Sequence, residues 1–277
     1  EQITMLPEYY PTRTERELLR RTVAEIAALA AADTLIELGS GSSEKTRLLL
    51  DALTAKSTLR RFVPLDVSES ALRGAMAAVA QEYPGLAVHG VVGDFTQHLE
   101  LLPTAERGRR LVAFLGGTIG NLVPDERAGF FTALHAALDP GELLLLGAGL
   151  ITDPAVMVPA YDDAAGVTAE FNLNGLHVLN RELGADFDVT AFDHVAAWDP
   201  AHEWIEMRLR ARHAMTVRLP GAGMTVHFAE GEEMRTEVSA KFRHEGLGAE
   251  LVHTGFVDQM WWTDADDRFA LVLAAAA

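Results

Sequence analysis

The chain has 277 residues, 49% apolar and 23% charged, a globular composition with length for one large core or two modest ones. Its net charge of −17 argues against a nucleic-acid binder, whose affinity rests on basic residues that neutralise phosphates. Cysteine is absent, which excludes disulfides, thiolate metal sites and cysteine nucleophiles, and the longest apolar run, Leu143 to Ile151, is too short to span a bilayer.

The expectation is therefore a protein that handles small molecules, with no nucleic-acid or membrane partner. The opening residues carry no signal-peptide pattern, so a cytoplasmic location is expected, and a monomer is the favoured state. The chain opens at Glu1, and EQITMLPEYYPTR reads as the interior of something longer, so a front segment is expected ahead of it.

Residues 14–31 predict an amphipathic helix, with Thr14 as N-cap and Glu17 three residues on. Strands and helices then alternate. Strands are expected at 34–38, 61–66, 86–92, 110–116 and 142–147, and helices at 43–53, 68–81 and 125–138. Continuous apolar strands between helices indicate a parallel sheet covered on both faces. After Ile151 the rhythm changes. A helical region at 167–183 precedes the extended pieces WIEMRLRAR, MTVRL and MTVHF, the last two joined by PGAG. From Lys241 a helix and two strands follow, GFVDQMWWTD and FALVLAAA, with the acidic turn 264–267 between them. The expected organisation is one α/β domain, residues 14–151 and 241–277, interrupted by a helix-plus-strand module of residues 152–240 that also takes residues 1–13.

The turn Gly39-Ser40-Gly41-Ser42 joins the first strand to a helix, and its glycines let the backbone approach a ligand closely. A phosphate loop requires G-x-x-x-x-G-K-[ST], but here Lys45 follows Glu44. The dinucleotide fingerprint lacks its third glycine, because Ser42-Ser43-Glu44 follows Gly41. The remaining reading is an S-adenosylmethionine turn, and Glu37-Leu38-Gly39-Ser40-Gly41 resembles the first motif of the class I methyltransferases. Such a ligand has no pyrophosphate. An acid can receive its ammonium, a second acid at the end of the next strand (Asp66) its ribose hydroxyls, and a third acid with an apolar neighbour (Gly93-Asp94-Phe95) its adenine. FLGGTIGNL adds a polar glycine loop at the carboxyl edge of the sheet, where open α/β sheets bind ligands. Each acid alone reads more readily as a cap or turn residue; their register with the strand order carries the reading.

Seven segments, LPEYYPTRTE, LIELGSGSSEKTRLLLDAL, GDF, FLGGTIGNL, AYDDAAGVTAEFN, NREL and EEMRTEVSAKFR, together resemble the histidine-specific S-adenosylmethionine-dependent methyltransferases of the ergothioneine pathway, over nearly the whole chain. The resemblance implies a class I S-adenosylmethionine-dependent methyltransferase fold, a Rossmann-like α/β sheet with an inserted α+β substrate-binding module. It implies three methyl transfers to the α-amino group of L-histidine, giving hercynine. Cofactor binding is implied at Gly39, Ser42, Lys45, Asp66, Gly93, Asp94 and Phe95. Substrate binding is implied at Tyr9, Gly116, Asn121, Tyr161, Met207, Glu237 and Ser239, with Tyr9 and Asn121 as the catalytic positions. Asn121 and Tyr161 would hold the carboxylate and amine region, and Glu237 and Ser239 the imidazole.

The residue types suit those tasks. A carboxylate and a hydroxyl satisfy the two ring nitrogens, and tyrosine faces favour cations. Read without the resemblance, Met207 is equally a core residue, Glu237 a surface acid and Tyr161 a packed tyrosine. The histidines show no metal spacing, so no metal is expected. The chain departs from the family pattern at Gly149, Arg208 and Ala240, where an aspartate, an aromatic and a cysteine are expected. Two other functions stay open: N-methylation of another amine such as tryptophan, with Glu237 deciding, and cofactor binding without catalysis.

Overall fold

The computed structural model describes residues 2–41, 43–104 and 108–277; Ser42 lies outside the described residues. In chain order the helices are α1 (Tyr10–Ala30), α2 (Thr46–Ala55), α3 (Glu69–Glu82), α4 (Pro124–Ala137), α5 (Pro154–Met157), α6 (Val167–Leu183) and α7 (His244–His253). The strands are β1 (Thr34–Leu38), β2 (Arg61–Asp66), β3 (Ala87–Val88), β4 (Val91–Val92), β5 (Arg110–Phe114), β6 (Leu143–Gly149), β7 (Phe192–Asp199), β8 (Trp204–Ala211), β9 (Met215–Leu219), β10 (Met224–Phe228), β11 (Glu233–Ala240), β12 (Phe256–Thr263) and β13 (Phe269–Ala276). Contacts divide the chain into two compact units, Pro11–Leu150 with Phe242–Ala277, and Glu1–Tyr10 with Ile151–Lys241. Among the described residues no helix is long and apolar enough to cross a membrane.

The first unit is built on an eight-stranded sheet in the order β12-β13-β6-β5-β1-β2-β3, with β4 also paired to β2. β1, β2, β5 and β6 run parallel, and β13 is antiparallel to both β6 and β12. Every residue of β1 and β5 is buried, which is why these strands read as unbroken apolar runs. Leu18, Leu19 and Ile26 of α1 recur at helical spacing and join Leu35, Phe62, Leu111, Leu145 and Leu271 in one core. The strand order reverses between β1 and β5, and a sheet of this kind opens a ligand crevice at the carboxyl ends of such a pair.

Several boundaries differ from expectation for local reasons. α1 begins at Tyr10, four residues before the expected cap, because Pro11 is tolerated in a first turn. The expected strand 86–92 divides into β3 and β4 around Gly90, where a Cβ would collide with Met76 Sδ. The expected strand 110–116 stops at Phe114, and Gly116 and Gly117 follow with φ of +87° and +69°.

The second unit holds the antiparallel sheet β11-β8-β7, the hairpin β9–β10 and α6. The expectation covered α6, β8, β9 and β10 but named neither β7 nor β11. Residues opposite one another in an antiparallel pair share a face. Ala196 and Trp198 of β7 oppose Met207 and Ile205 of β8, which in turn oppose Glu237 and Ser239 of β11. The register slips between Arg235 and Glu237, leaving Thr236 as an extra residue whose hydroxyl donates to Met207 O at 2.9 Å.

Glu37 anchors the turn that leaves β1. Its Oε2 accepts from Ser43 Oγ at 2.7 Å and its Oε1 from Thr46 Oγ1, so the strand end is bonded to the start of α2. Both oxygens are thus engaged by the loop itself. Burial pushes the Glu37 carboxyl up to about 7, against the pull of the two hydroxyls and of Lys45 and Arg47. The folded state therefore holds this proton more tightly than the unfolded chain, whose value is near 4.5. The resulting stabilisation is complete below the unfolded value and is lost as pH rises through the folded one. Urea unfolding of the protein and of Glu37→Gln, at pH about 5 and about 8, checks this. Relative to the variant, the protein should lose on the order of 3 kcal/mol across that range. Parallel profiles would show that Glu37 is already ionised when folded.

Candidate functional site

At the carboxyl edge of the large sheet, Gly39 and Gly41 take φ of +68° and +48°, a region that side chains resist. The turn is held down by β2. Gly39 N–H and Ser40 N–H donate to Leu65 O at 2.9 and 3.1 Å, and Gly41 N–H donates to Asp66 Oδ2 at 2.9 Å. Asp66 Oδ1 accepts from Ser68 N–H at 2.9 Å. Asp66 is thus a clasp for the turn, and each of its oxygens keeps a second acceptor site.

Gly93 N–H donates to Asp66 O at 3.1 Å, which brings the Gly93-Asp94-Phe95 segment beside the clasp. Asp94 caps its own turn: Oδ1 accepts from Thr96 Oγ1 at 2.7 Å and Thr96 N–H at 2.8 Å, and Oδ2 from Gln97 at 3.1 Å. These bonds, led by the Thr96 hydroxyl, hold its carboxyl below the usual range. Phe95 packs on Phe114 and Phe130 with ring centroids 5.0 and 6.0 Å away, and a Cβ on Gly39 would lie 3.9 Å from its ring. Gly39, Asp66, Gly93, Asp94 and Phe95 therefore converge on one edge. Ser40 Oγ, in a residue 5% exposed, has no hydrogen-bond partner among the described residues. A buried orphan hydroxyl in a glycine turn, with acids and an aromatic ring close by, fits a polar ligand such as S-adenosylmethionine.

Lys45 is paired with Glu15 of α1, whose side chain is fully buried, and the other Glu15 oxygen accepts from Gly116 N–H at 2.6 Å. Gly147 leaves space for that carboxylate, since a Cβ there would strike Glu15 Oε1. Glu15 thus fastens α1 to the lysine and to the loop after β5. Asn121 ends that loop, in a short turn of residues Thr118–Asn121, with its side chain exposed. Glu15 was not anticipated; its signal is a carboxylate on the same helical stripe as Leu18, Leu19, Thr22 and Ile26.

In the other unit the polar groups meet an apolar cluster. Met157, Ala160, Tyr161, Ile205 and Met207 pack together, with Tyr9, Ala196 and Trp198 at the margin. Met207 is therefore core as well as a neighbour of Tyr161. Tyr9 meets Tyr161 edge to face, ring centroids 6.0 Å apart. Tyr161 Oη and Ser239 Oγ lie 2.8 Å apart, and Lys241 Nζ donates to both, at 2.9 and 2.7 Å. Burial raises the Tyr161 hydroxyl to about 12 and lowers the Lys241 ammonium to about 7, the latter opposed by Glu237. Glu237 is half-buried, and burial pushes its carboxyl upward against the pull of Lys241. His194 braces the tyrosine, with Nε2 2.8 Å from Tyr161 O and Nδ1 2.9 Å from Asn172 Nδ2. Asn172 Nδ2 also donates to Arg208 O at 3.2 Å, so its amide nitrogen faces the ring and the neutral Nε2–H tautomer follows.

The three departures have plain places. Arg208 pairs with Glu206 and Glu233 on the sheet face opposite Met207, Ala240 is buried across from Trp204, and Gly149 pairs with Phe269. Lys241 was not anticipated either; its signal is a lysine between the apolar residues Ala240 and Phe242.

The chain is similar to known proteins. Residues 1–276 match the family model of the S-adenosylmethionine-dependent, histidine-specific methyltransferases. The chain is 57% identical over 274 residues to the histidine N-alpha-methyltransferase of Mycolicibacterium smegmatis, covering 99% of this chain and 85% of that protein. It is 56% identical over 275 residues to the protein of the same name from Mycobacterium tuberculosis, with coverage of 99% and 85%. Among solved structures, an S-adenosylmethionine-dependent methyltransferase from Clostridium acetobutylicum superposes with a TM-score of 0.52 at 12% identity, covering 94% of this chain and 92% of that one. The CcbJ methyltransferase of Streptomyces caelestis gives 0.51 at 17%, covering 93% and 89%. These two likenesses show a class I methyltransferase fold, with its Rossmann-like sheet. The extent of the family match and the level of identity together establish that the chain belongs to the S-adenosylmethionine-dependent, histidine-specific methyltransferases.

Proposed function

We propose that the protein methylates the α-amino group of L-histidine three times, giving hercynine, a betaine that serves ergothioneine biosynthesis. The observation that carries this reading is the pairing of Glu237 and Ser239 on one face of β11 beside Tyr161. A carboxylate accepts and a hydroxyl donates, which is the complement of a ring with one N–H and one bare nitrogen. The names of the relatives support the same substrate.

When bound, S-adenosylmethionine supplies an electrophilic methyl carbon. The amine nitrogen supplies the electron pair, the carbon–sulfur bond breaks, and one proton leaves the nitrogen before the next transfer. After the third transfer no N–H remains, so the sequence ends by itself. The protein's task is to align a neutral amine, and alignment of reactants accounts for several kcal/mol of a barrier, of the order of ~7–11. In this reading Tyr9 and Asn121 act at the amine, Asn121 and Tyr161 hold the carboxylate and amine region, Gly116 lines the substrate site, and Met207 supplies the apolar wall. Gly39, Ser42, Lys45, Asp66, Gly93, Asp94 and Phe95 bind the cofactor. The tyrosine rings suit an amine that becomes a permanent cation.

Calorimetry with S-adenosylhomocysteine tests the cofactor site. Asp66→Ala removes charge-assisted bonds worth about 1.5–3 kcal/mol each and frees the Gly41 N–H, so affinity should fall more than about tenfold. Unchanged affinity would remove Asp66 from the site. Competition between equimolar histidine and tryptophan, with a labelled methyl group, tests the substrate. The protein should methylate histidine alone, and Glu237→Ala should lose about a hundredfold or more of histidine turnover while tryptophan gains. Retained histidine preference in Glu237→Ala would return Glu237 to the role of an ordinary acid.

A further inference from the structure

We propose that Lys241 is a positioning residue that makes Ser239 a pure hydrogen-bond donor toward the substrate, so that Ser239 and Glu237 select a neutral azole ring. The inference rests on the substrate reading above and assigns a residue to which that reading gave no role.

The argument is a count of protons. Lys241 is 5% exposed, and its Nζ reaches three acceptors: Ser239 Oγ at 2.7 Å, Tyr161 Oη at 2.9 Å and Ser239 O at 3.3 Å. An ammonium has three protons and no lone pair, so it can only donate to all three. Burial lowers this ammonium to about 7, and the Glu237 carboxylate and the Tyr161 ring, whose centroid lies 4.8 Å from Nζ, pull the other way, so the count holds for the charged form present below that value. Tyr161 Oη and Ser239 Oγ, 2.8 Å apart, then share one of their two hydroxyl protons. One proton is left to point away from the triangle.

Chemistry decides which one. A phenol is the stronger acid and the weaker acceptor, because a lone pair is delocalised into its ring. Tyr161 therefore donates to Ser239. Ser239 Oγ now accepts twice, from Lys241 and Tyr161, and both its lone pairs are used. Only its O–H remains for a ligand. Glu237, two residues earlier on the same face of β11, offers only acceptors when ionised. The pair presents one donor and one acceptor. A neutral imidazole answers both, whereas an imidazolium brings two donors and a phenyl ring none. Either mismatch leaves a buried polar group unpaired. Without Lys241 the Ser239 hydroxyl turns freely, accepts as readily as it donates, and the selection weakens.

The test is a double-mutant cycle on histidine affinity, measured by calorimetry in the presence of S-adenosylhomocysteine. The proteins are the full chain, Ser239→Ala, Lys241→Met and the double variant. Lys241→Met should weaken histidine binding about tenfold. If Lys241 acts through Ser239, the double variant should bind no more weakly than Ser239→Ala alone. Lys241→Gln keeps an N–H donor for Ser239 and should recover part of the affinity. Binding of S-adenosylhomocysteine should be the same in all variants, which reports an intact fold. Should Lys241→Met fail to fold, the same cycle with Lys241→Gln decides. Additive losses, or a glutamine variant no better than the methionine one, would overturn the positioning role while leaving histidine as substrate. Absence of histidine binding by the unaltered chain would instead overturn the substrate reading, and this inference with it.

Discussion

Side chains of a strand alternate between its two faces, so one inserted residue reverses every assignment beyond it. In β11 that residue is Thr236, held in place by its bond to Met207 O. Before it, Glu233 and Arg235 lie on the face of Glu206, Arg208 and Arg210, where they form a net of ion pairs. After it, Glu237 and Ser239 lie on the face of Met207 and Ile205, among apolar side chains. A regular strand would have kept Glu237 with the arginines, as one more surface ion pair of small energetic weight. The bulge converts it into a half-buried carboxyl whose proton affinity rises, and in the proposed site this is the carboxyl that discriminates between ligands.

Burial then imposes its own requirement. A polar group removed from water has to be bonded, and a charge has to be matched. Each unit answers this with a closed set of partners. In the large sheet, Glu37 is capped by Ser43 and Thr46, and Glu15 by Lys45 and the Gly116 amide. In the other unit, Lys241 is met by Tyr161, Ser239 and the field of Glu237. These sets fix the glycine turn, the loop after β5 and the direction of the Ser239 hydroxyl. They are made of side chains whose exchange for apolar ones would leave partners stranded.

The strands of the large sheet were legible because they are buried on both faces. Thr34–Leu38 and Arg61–Asp66 were readable to the residue, and the glycine turn could be separated from phosphate and dinucleotide loops by spacing alone. β7 was missed because FDHVAAWD is half-buried along most of its length and lacks a continuous apolar run. β11 was missed because the bulge at Thr236 breaks the period-2 pattern that announces a strand. The acids at strand ends could be located but not apportioned. Asp66 and Asp94 both bond backbone N–H groups of turns, so the cap reading is met at the same residues for which cofactor binding is proposed. Glu15 and Lys241 stayed hidden because their partners lie far along the chain or depend on a face that the bulge determines.

A site that acts three times on one molecule meets a changing substrate. In the proposed reaction the amine gains bulk with every transfer and ends as a fixed cation, while the ring and the carboxylate stay the same. Recognition concentrated on the ring by Glu237 and Ser239 is therefore equally good for the first, second and third acceptor. Strong hydrogen bonds to the amine would have the opposite effect, since they would favour the unmethylated form and oppose later turns. Aromatic faces such as those of Tyr9 and Tyr161, set edge to face, attract a cation without requiring an N–H. The division of chemistry, directional bonds for the part that stays and undirected attraction for the part that changes, is what repeated methylation asks of a binding site.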